Sequence, residues 1–306
     1  MADDQNSITF SILNSIMDFP AEHWDALAGR KNPFTRHAFL AALETSGSVR
    51  PETGWSPQHL IARDEAGQAR AAAPLYLKSH SYGEYVFDQG WAEAYQRAGG
   101  RYYPKLQCAV PFSPVTGPRL LVGPDKTGKW AHALTSAMVG LARGLGVSSL
   151  HVTFANETDW ISLREAGFLP RIDRQFHWKN NGYGSFSDFL NELSSRKRKS
   201  IVKERRKVSE SGVTFRVLTG TDIGESHLDA FYAFYKNTSE RKWGRSYLTR
   251  DFFSLLSRDM PGQTVLILAE YGGFPVAGAL NLLGPDTLYG RYWGAEGAYK
   301  FLHFET

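Results

Sequence analysis

The runs Thr264-Val-Leu-Ile-Leu-Ala-Glu-Tyr271 and Pro275-Val-Ala-Gly-Ala-Leu-Asn-Leu282, joined through Gly272-Gly273, decide the fold. Two apolar, β-branched runs around a glycine pair read as a hairpin, because glycine supplies the positive φ a tight turn needs. Thr287-Leu-Tyr-Gly-Arg-Tyr-Trp293 follows as the next strand. Upstream, residues 228–239 and 249–257 space their apolar side chains as helices do. The first half shows the same order. Residues 8–13 form a strand, 20–27 and 35–46 read as helices, and 58–63 with 71–78 flank the turn Asp64-Glu-Ala-Gly67. Tyr85-Val-Phe87 and Arg119-Leu-Leu-Val122 read as further strands. The first half then continues through a helix at 130–144, a strand at 149–154, a helix at 158–166 stopped by Gly167, and a strand at Phe176-His-Trp178. A repeated order of elements predicts two related α/β (α+β) modules with mixed, mostly antiparallel sheets flanked by helices. The second copy is expected to be truncated at its C-terminus, since it lacks the helix-strand-helix-strand part of the first.

The 306 residues suit about two domains of roughly 150 each. The polar, glycine-rich Lys179-Asn-Asn-Gly-Tyr-Gly-Ser185 is the expected boundary, giving modules at 1–180 and 181–306. A composition of 42% hydrophobic and 22% charged residues excludes a disordered or fibrous chain. The single cysteine, Cys108, excludes an internal disulfide framework and an all-cysteine zinc site. The start, Met1-Ala-Asp-Asp-Gln-Asn6, has neither the basic region nor the apolar core of a signal peptide. No window approaches the ~18 uninterrupted apolar residues a membrane span needs. A cytoplasmic protein with no membrane span is the expectation.

The formal charge of +4 is unevenly spread. Arg196, Lys197, Arg198, Lys199, Lys203, Arg205, Arg206 and Lys207 face only Glu204, so residues 196–207 carry +7 and the remainder −3. One long helix over about 186–211 is predicted, with Ser185 and Asp188 spaced as a capping box. Its apolar stripe runs through Phe186, Phe189, Leu190, Leu193, Ile201 and Val208, with Lys197 in line. A solvated helix face usually alternates signs to gain pairs four residues apart. This one does not, which leaves a plain solvated face and a polyanion site both open, with phosphate contact as the functional reading.

Gly123-Pro-Asp-Lys-Thr-Gly-Lys-Trp130 has the spacing of a phosphate-binding loop, but Trp130 replaces the hydroxyl that would hold magnesium and Asp125 adds a carboxylate. Nucleotide hydrolysis and a tight coenzyme A site are not expected there. In the second half, Arg241, Trp243, Tyr289, Arg291 and Trp293 suggest a pocket for a peptide or sugar, and the alternative is an aromatic-rich core. Tyr289, Arg291 and Trp293 alternate along one strand face. His303 and Glu305 are candidate general bases for an attacking amine. The nine histidines show no metal-binding spacing, and no Gly-x-Ser-x-Gly nucleophile elbow is present.

Asn156-Glu-Thr-Asp-Trp-Ile-Ser-Leu-Arg-Glu-Ala-Gly-Phe168, following a strand, resembles the closing part of a GCN5-related N-acetyltransferase (GNAT) module. Residues 102–121, Ser195-Arg-Lys-Arg-Lys-Ser-Ile-Val-Lys-Glu-Arg-Arg206 and Leu288-Tyr-Gly-Arg-Tyr-Trp-Gly294 together resemble the FemAB-like family of peptidoglycan biosynthesis or recognition proteins. The resemblance covers nearly the whole chain. It implies tandem GNAT-like modules and an acyl or aminoacyl transferase acting on an amino group of a peptidoglycan-precursor-type or peptide substrate. It also implies an acyl-CoA or aminoacyl-tRNA donor, a nucleotide-linked or peptide acceptor, tRNA as a further partner, and no metal. The alternatives are a non-catalytic binding module for nucleotide-linked muropeptide or RNA, and an inactive truncated transferase.

Overall fold

The computed structural model describes residues 7–125, 127–297, 299 and 301–304. The chain alternates short helices and strands. Strand β1 (Thr9–Leu13) precedes helices α1 (Ala21–Ala28) and α2 (His37–Thr45). Strands β2 (Trp55–Pro57), β3 (His59–Arg63), β4 (Ala69–Ala73) and β5 (Leu75–Lys78) follow. Helix α3 (Gln89–Arg97), β6 (Lys105–Cys108), α4 (Lys129–Gly144), β7 (Leu150–Val152) and α5 (Glu157–Glu165) come next. The remaining elements are α6 (Phe186–Glu192), α7 (Ser195–Ser209), β8 (Thr214–Thr219), α8 (Glu225–Trp243), α9 (Arg250–Asp259), β9 (Thr264–Tyr271), β10 (Phe274–Leu283) and β11 (Leu288–Ala295).

The chain divides into two compact units, each drawn from several segments. The first comprises 1–169, 247–264 and 282–289, and the second 170–246, 265–281 and 290–306. Within the first, β1-β3-β4 form one sheet and β2-β5-β6-β7 another. Only Pro74 separates β4 from β5, so the chain passes from one sheet to the other at a residue that has no N–H to give to a ladder. The β6–β7 pair is parallel, Leu106 opposite Leu150, and α4 makes the crossover that a parallel pair requires. One face of the second sheet is apolar. Leu75, Leu106 and Cys108 pack there with Leu134 and Met138 of α4. In register with them on the other face stand Tyr76 opposite Gln107 and Lys78 opposite Lys105, with His151 beside Gln107. That face is buried as well, and it is polar. Helix α9 also belongs to this unit, and its Phe252 meets Phe39 of α2 edge to face at 5.7 Å.

The second unit is built on the sheet β11-β10-β9-β8, with β8 at one edge. Val208, Val213, Ala269, Ala277, Ala295 and Leu302 form its core, flanked by Trp293, Tyr299 and Phe301. Gly294 lets β11 approach α8. A Cβ there would lie 2.1 Å from the carbonyl oxygen of Phe234, so only glycine fits.

Several expected elements take other forms. Residues 119–122 make a single bridge, Leu121 to Ala72, because the backbone amides of Arg119 and Leu120 are given to the Asp159 carboxylate instead. Tyr85-Val-Phe87 is irregular, with Tyr85 at φ 57°, outside the extended region. Among the described residues Phe176-His-Trp178 pairs with no strand, and it is exposed. The long helix at 186–211 is two helices. Leu193 (ψ 149°) and Ser194 (ψ 145°) are extended between α6 and α7, which ends the continuous stripe that placed Lys197 in line. Serine pairs favour such a break because their hydroxyls compete for backbone groups.

Candidate functional site

Helix α7 carries the basic run. Arg196, Lys197, Lys199, Lys203, Arg205, Arg206 and Lys207 are exposed and Arg198 is half-buried. Few of these charges are offset. Arg206 lies 3.6 Å from Glu210, and Arg198 donates to the Asn191 side chain at 3.3 Å. Arg205 stacks over Phe186 at 4.1 Å, and Lys207 lies 5.4 Å from the centre of the Phe301 ring. Among the described residues Arg196, Lys197, Lys199 and Lys203 have no acidic neighbour within ion-pair distance. At the C-terminal end of α7, Lys207, Val208, Ser211, Val213, Phe301 and Leu302 line a cavity of about 230 Å³, together with Tyr299.

The Ser185 hydroxyl accepts from Asp188 N at 3.2 Å, which starts α6 as its spacing predicts. The returning carboxylate reaches Gly184 N rather than Ser185 N, one residue further out than a capping box requires.

The second predicted group is only partly assembled. Tyr289, Arg291 and Trp293 alternate along β11, and each is half-buried. Tyr289 belongs to the first unit, where it meets Phe34 edge to face at 5.3 Å. In the second unit, Arg291 lies over the Tyr292 ring at 5.0 Å, and Trp293 meets His303 at 5.8 Å with the rings steeply inclined. His303 is exposed on a short 3-10 turn spanning Leu302–Phe304. Arg241 is exposed in the last turn of α8. Trp243 ends that helix, but its side chain, like all of Glu305, lies outside the described residues.

The glycine-rich turn before α4 is occupied by its own side chain. Asp125 accepts from the Thr127 amide at 2.8 Å, the Thr127 hydroxyl at 2.7 Å and the Trp130 amide at 3.1 Å. Burial pushes this carboxyl up, but the Thr127 and Trp130 hydrogen bonds outweigh it and hold Asp125 below the usual carboxylate range. A helix N-terminus attracts anions through these same amides, so an incoming phosphate would have to displace Asp125.

The polar face of the β2-β5-β6-β7 sheet holds a cluster that no sequence motif marks. Lys105, fully buried, donates to Glu84 at 2.7 Å, Asp88 at 2.5 Å and Ser81 at 2.8 Å. The Tyr102 hydroxyl donates to Asp88 at 2.8 Å, and Ser81 bonds Tyr103 at 2.8 Å. His151 bonds Ser149 at 2.8 Å, and the Tyr102 hydroxyl stands 3.5 Å away. Lys78 lies 3.5 Å from the centre of the Trp55 ring and donates to the Tyr82 carbonyl at 3.3 Å. Burial raises Glu84, with the Lys105 charge working against it. Burial also acts to raise Asp88, but hydrogen bonds from Lys105 and Ser81 and the lysine's charge reverse the outcome and hold it low. The cluster ties the segment between β5 and β6, α3 included, onto the sheet. The sequence signal for it is alternation, since Tyr76 and Lys78 flank Leu77, and Lys105 and Gln107 flank Leu106. A half-exposed strand gives the same pattern, and only the structure shows that both faces are covered.

Among the described residues no group of three or more His, Cys, Asp or Glu is arranged to hold a metal ion. None of the described helices is long and apolar enough to cross a membrane.

No curated protein matches the chain. Two solved structures align with most of the chain. The C-terminal domain of a proposed lysylphosphatidylglycerol synthetase from Agrobacterium fabrum is 11% identical, with a TM-score of 0.49 over 92% of this chain and 70% of that one. A tandem GNAT protein from the clavulanic acid biosynthesis pathway is 11% identical, with a TM-score of 0.39 over 95% of this chain and 76% of that one. The FemAB-like family, described as peptidoglycan biosynthesis/recognition, matches residues 15–306, and the chain belongs to it.

Proposed function

We propose that this FemAB-like chain transfers an acyl or aminoacyl group from an activated ester or thioester to an amino group of a peptidoglycan-precursor-type substrate. The observation that carries the reading is the exposed basic face of α7, where Arg196, Lys197, Lys199 and Lys203 have no acidic partner among the described residues. Such a face suits the phosphates of a nucleotide-linked acceptor or of an aminoacyl-tRNA or acyl-CoA donor, and arginine can grip two phosphate oxygens at once. In this reading residues 181–306 carry the chemistry. Arg291 and Trp293 of β11, with Arg241 and Trp243, contribute to holding the acceptor.

The reaction is direct attack. The acceptor nitrogen forms a bond to the carbonyl carbon, the ester C–O or thioester C–S bond breaks, the nitrogen's proton passes to a base, and the departing donor oxygen or sulfur takes up a proton and leaves as the alcohol or thiol. His303, exposed and set against Trp293, is assigned that role, with Glu305 as the other candidate. The negative charge on the carbonyl oxygen is met by a backbone amide.

The test is transfer of a labelled acyl or aminoacyl group to a nucleotide-linked muropeptide, measured for the wild type, His303→Ala and Arg196→Ala/Lys199→Ala. Loss of a positioned base lowers kcat by about 10²–10⁴-fold, whereas the charge variant raises KM. Unchanged kcat in His303→Ala removes it from the mechanism. Binding without transfer from either donor identifies a binding module instead.

A further inference from the structure

Beside the basic helix the second unit exposes side chains that a solvated surface would bury. Ile172 is 83% exposed, Phe176 87% and Trp178 64%. Helix α6 has no buried residue although it carries Phe186, Phe189 and Leu190. Four of the rings, those of Trp178, Tyr183, Phe186 and Phe189, form a cluster. Trp178 lies 6.1 Å from Tyr183 and 6.0 Å from Phe189, and Phe186 lies 5.7 Å from Phe189. Arg205 of α7 covers Phe186 at 4.1 Å, which joins the aromatic cluster to the basic face. Between residues 170 and 210 the chain holds eleven basic residues and five acidic ones, a net +6.

We infer that α6, α7 and the segment 170–183 form a docking surface for an anionic lipid bilayer. The inference deepens the reading of α7 as a phosphate contact and rests on it. Two features of the surface select this occupant. A second copy of the chain would bring +6 against +6 across a self-complementary contact, which like-charge repulsion disfavours. An RNA would engage the basic face and stack on the aromatic rings, but it offers nothing to Ile172 or to Val202, which is also exposed on α7. A bilayer satisfies both sets. Lipid phosphates take the lysines and arginines, while Trp and Phe rings enter the headgroup region and aliphatic side chains reach the acyl boundary.

The test is co-sedimentation of the full chain with vesicles of equal parts phosphatidylglycerol and phosphatidylcholine, against pure phosphatidylcholine, alongside binding to heparin and to bulk tRNA. The wild type is expected on the anionic vesicles and not on the neutral ones. Phe176→Ser/Trp178→Ser should weaken vesicle binding by about tenfold through lost apolar burial, while heparin binding stays unchanged. Arg196→Ala/Lys199→Ala should weaken both. Ile172→Ser provides the same test if the double aromatic variant fails to fold. Vesicle binding indifferent to the apolar substitutions overturns the inference. So does tight tRNA binding without vesicle binding, or a dimer that Phe176→Ser/Trp178→Ser dissolves. In those three results the phosphate reading of α7 survives if heparin binding still depends on Arg196 and Lys199. A wild type that binds neither heparin, tRNA nor vesicles removes both.

Discussion

Lys105 is the residue whose loss should be felt most. Its ammonium group is fully buried between Glu84 and Asp88, and the Oε1 of Glu84 and Oδ1 of Asp88 are themselves buried without a hydrogen-bond partner. Lys105→Met would leave two carboxylates uncompensated in the interior, and breaking a buried pair costs about 3–5 kcal/mol. Chemical denaturation should show that loss, and a change under about 1 kcal/mol would mean the site is wetter than its geometry indicates. The same cluster makes stability depend on pH. Burial raises Glu84 in the folded state, so its contribution is complete below the unfolded value, about 4.3, and is lost as pH rises through the folded one. Asp88 is lowered and acts in the opposite sense, with its contribution present above about 3.9 and lost on acidification. Glu84→Gln should therefore lose less stability than the wild type as pH rises above about 4.3, as thermal melts across a pH series would read. Cys108 gives a further expectation. Burial pushes its thiol up to about 12, so it should resist alkylation in the native protein and react at the rate of unfolding. Rapid labelling of the folded chain would contradict the sealed core between α4 and the sheet.

At the scale of elements, caps and close approaches decide where each piece begins and which pieces meet. Thr249 accepts from Phe252 N at 3.3 Å to start α9, and its hydroxyl also donates to the Ser46 carbonyl at the end of α2 at 3.1 Å. Thr249→Ala should cost about 1–2 kcal/mol and Thr249→Ser should recover most of it, since the hydroxyl and not the methyl makes both bonds. Gly294→Ala should be more damaging, because the added carbon meets the α8 backbone rather than a side chain that can turn aside. Expression and melting temperature would register it. Some of the fold is legible in sequence for the same local reasons. The helical apolar spacing over 249–257 and the glycine pair between β9 and β10 are local signals, and α9 and the β9–β10 hairpin form where those signals stand. Residues 85–87 and 176–178 show the limit of such signals. Their side chains favour extended backbone, but a strand also needs a neighbour to pair with, and no local pattern reports one. The α6–α7 break lies beneath a strong apolar stripe, and a stripe does not reveal two consecutive residues with extended dihedrals. Helix α3 buries only Ala92, so its helical spacing answers to little core contact.

At the scale of the whole molecule, charge and covered surface follow separate rules, and each makes a different part of the candidate site legible. The concentration of +7 within residues 196–207 is a property of composition, so α7 stands out from the sequence by itself. The Lys105 cluster does not, because it joins residues from 81 to 151 whose meeting depends on the parallel β6–β7 pairing. His303 and Trp293 lie between these cases. Each is visible as a residue type, but their 5.8 Å approach depends on how the chain turns back after β11. The same distinction yields a quantitative expectation for α7. A site that works by displacing counterions from a polyanion loses affinity linearly in log salt, with a slope of about 0.7 per phosphate contact on single-stranded and about 0.9 on double-stranded nucleic acid. If Arg196 and Lys199 each neutralise one phosphate, Arg196→Ala/Lys199→Ala should flatten the slope by about 1.4–1.8 and weaken binding most at low salt. Arg206→Ala should do less, because Arg206 already lies 3.6 Å from Glu210 and brings less unspent charge to a ligand. Titrating a fluorescent oligonucleotide at several salt concentrations separates the cases. Equal slopes for the wild type and the double variant would show that α7 is a solvated face, and the +7 would then serve solubility rather than recognition.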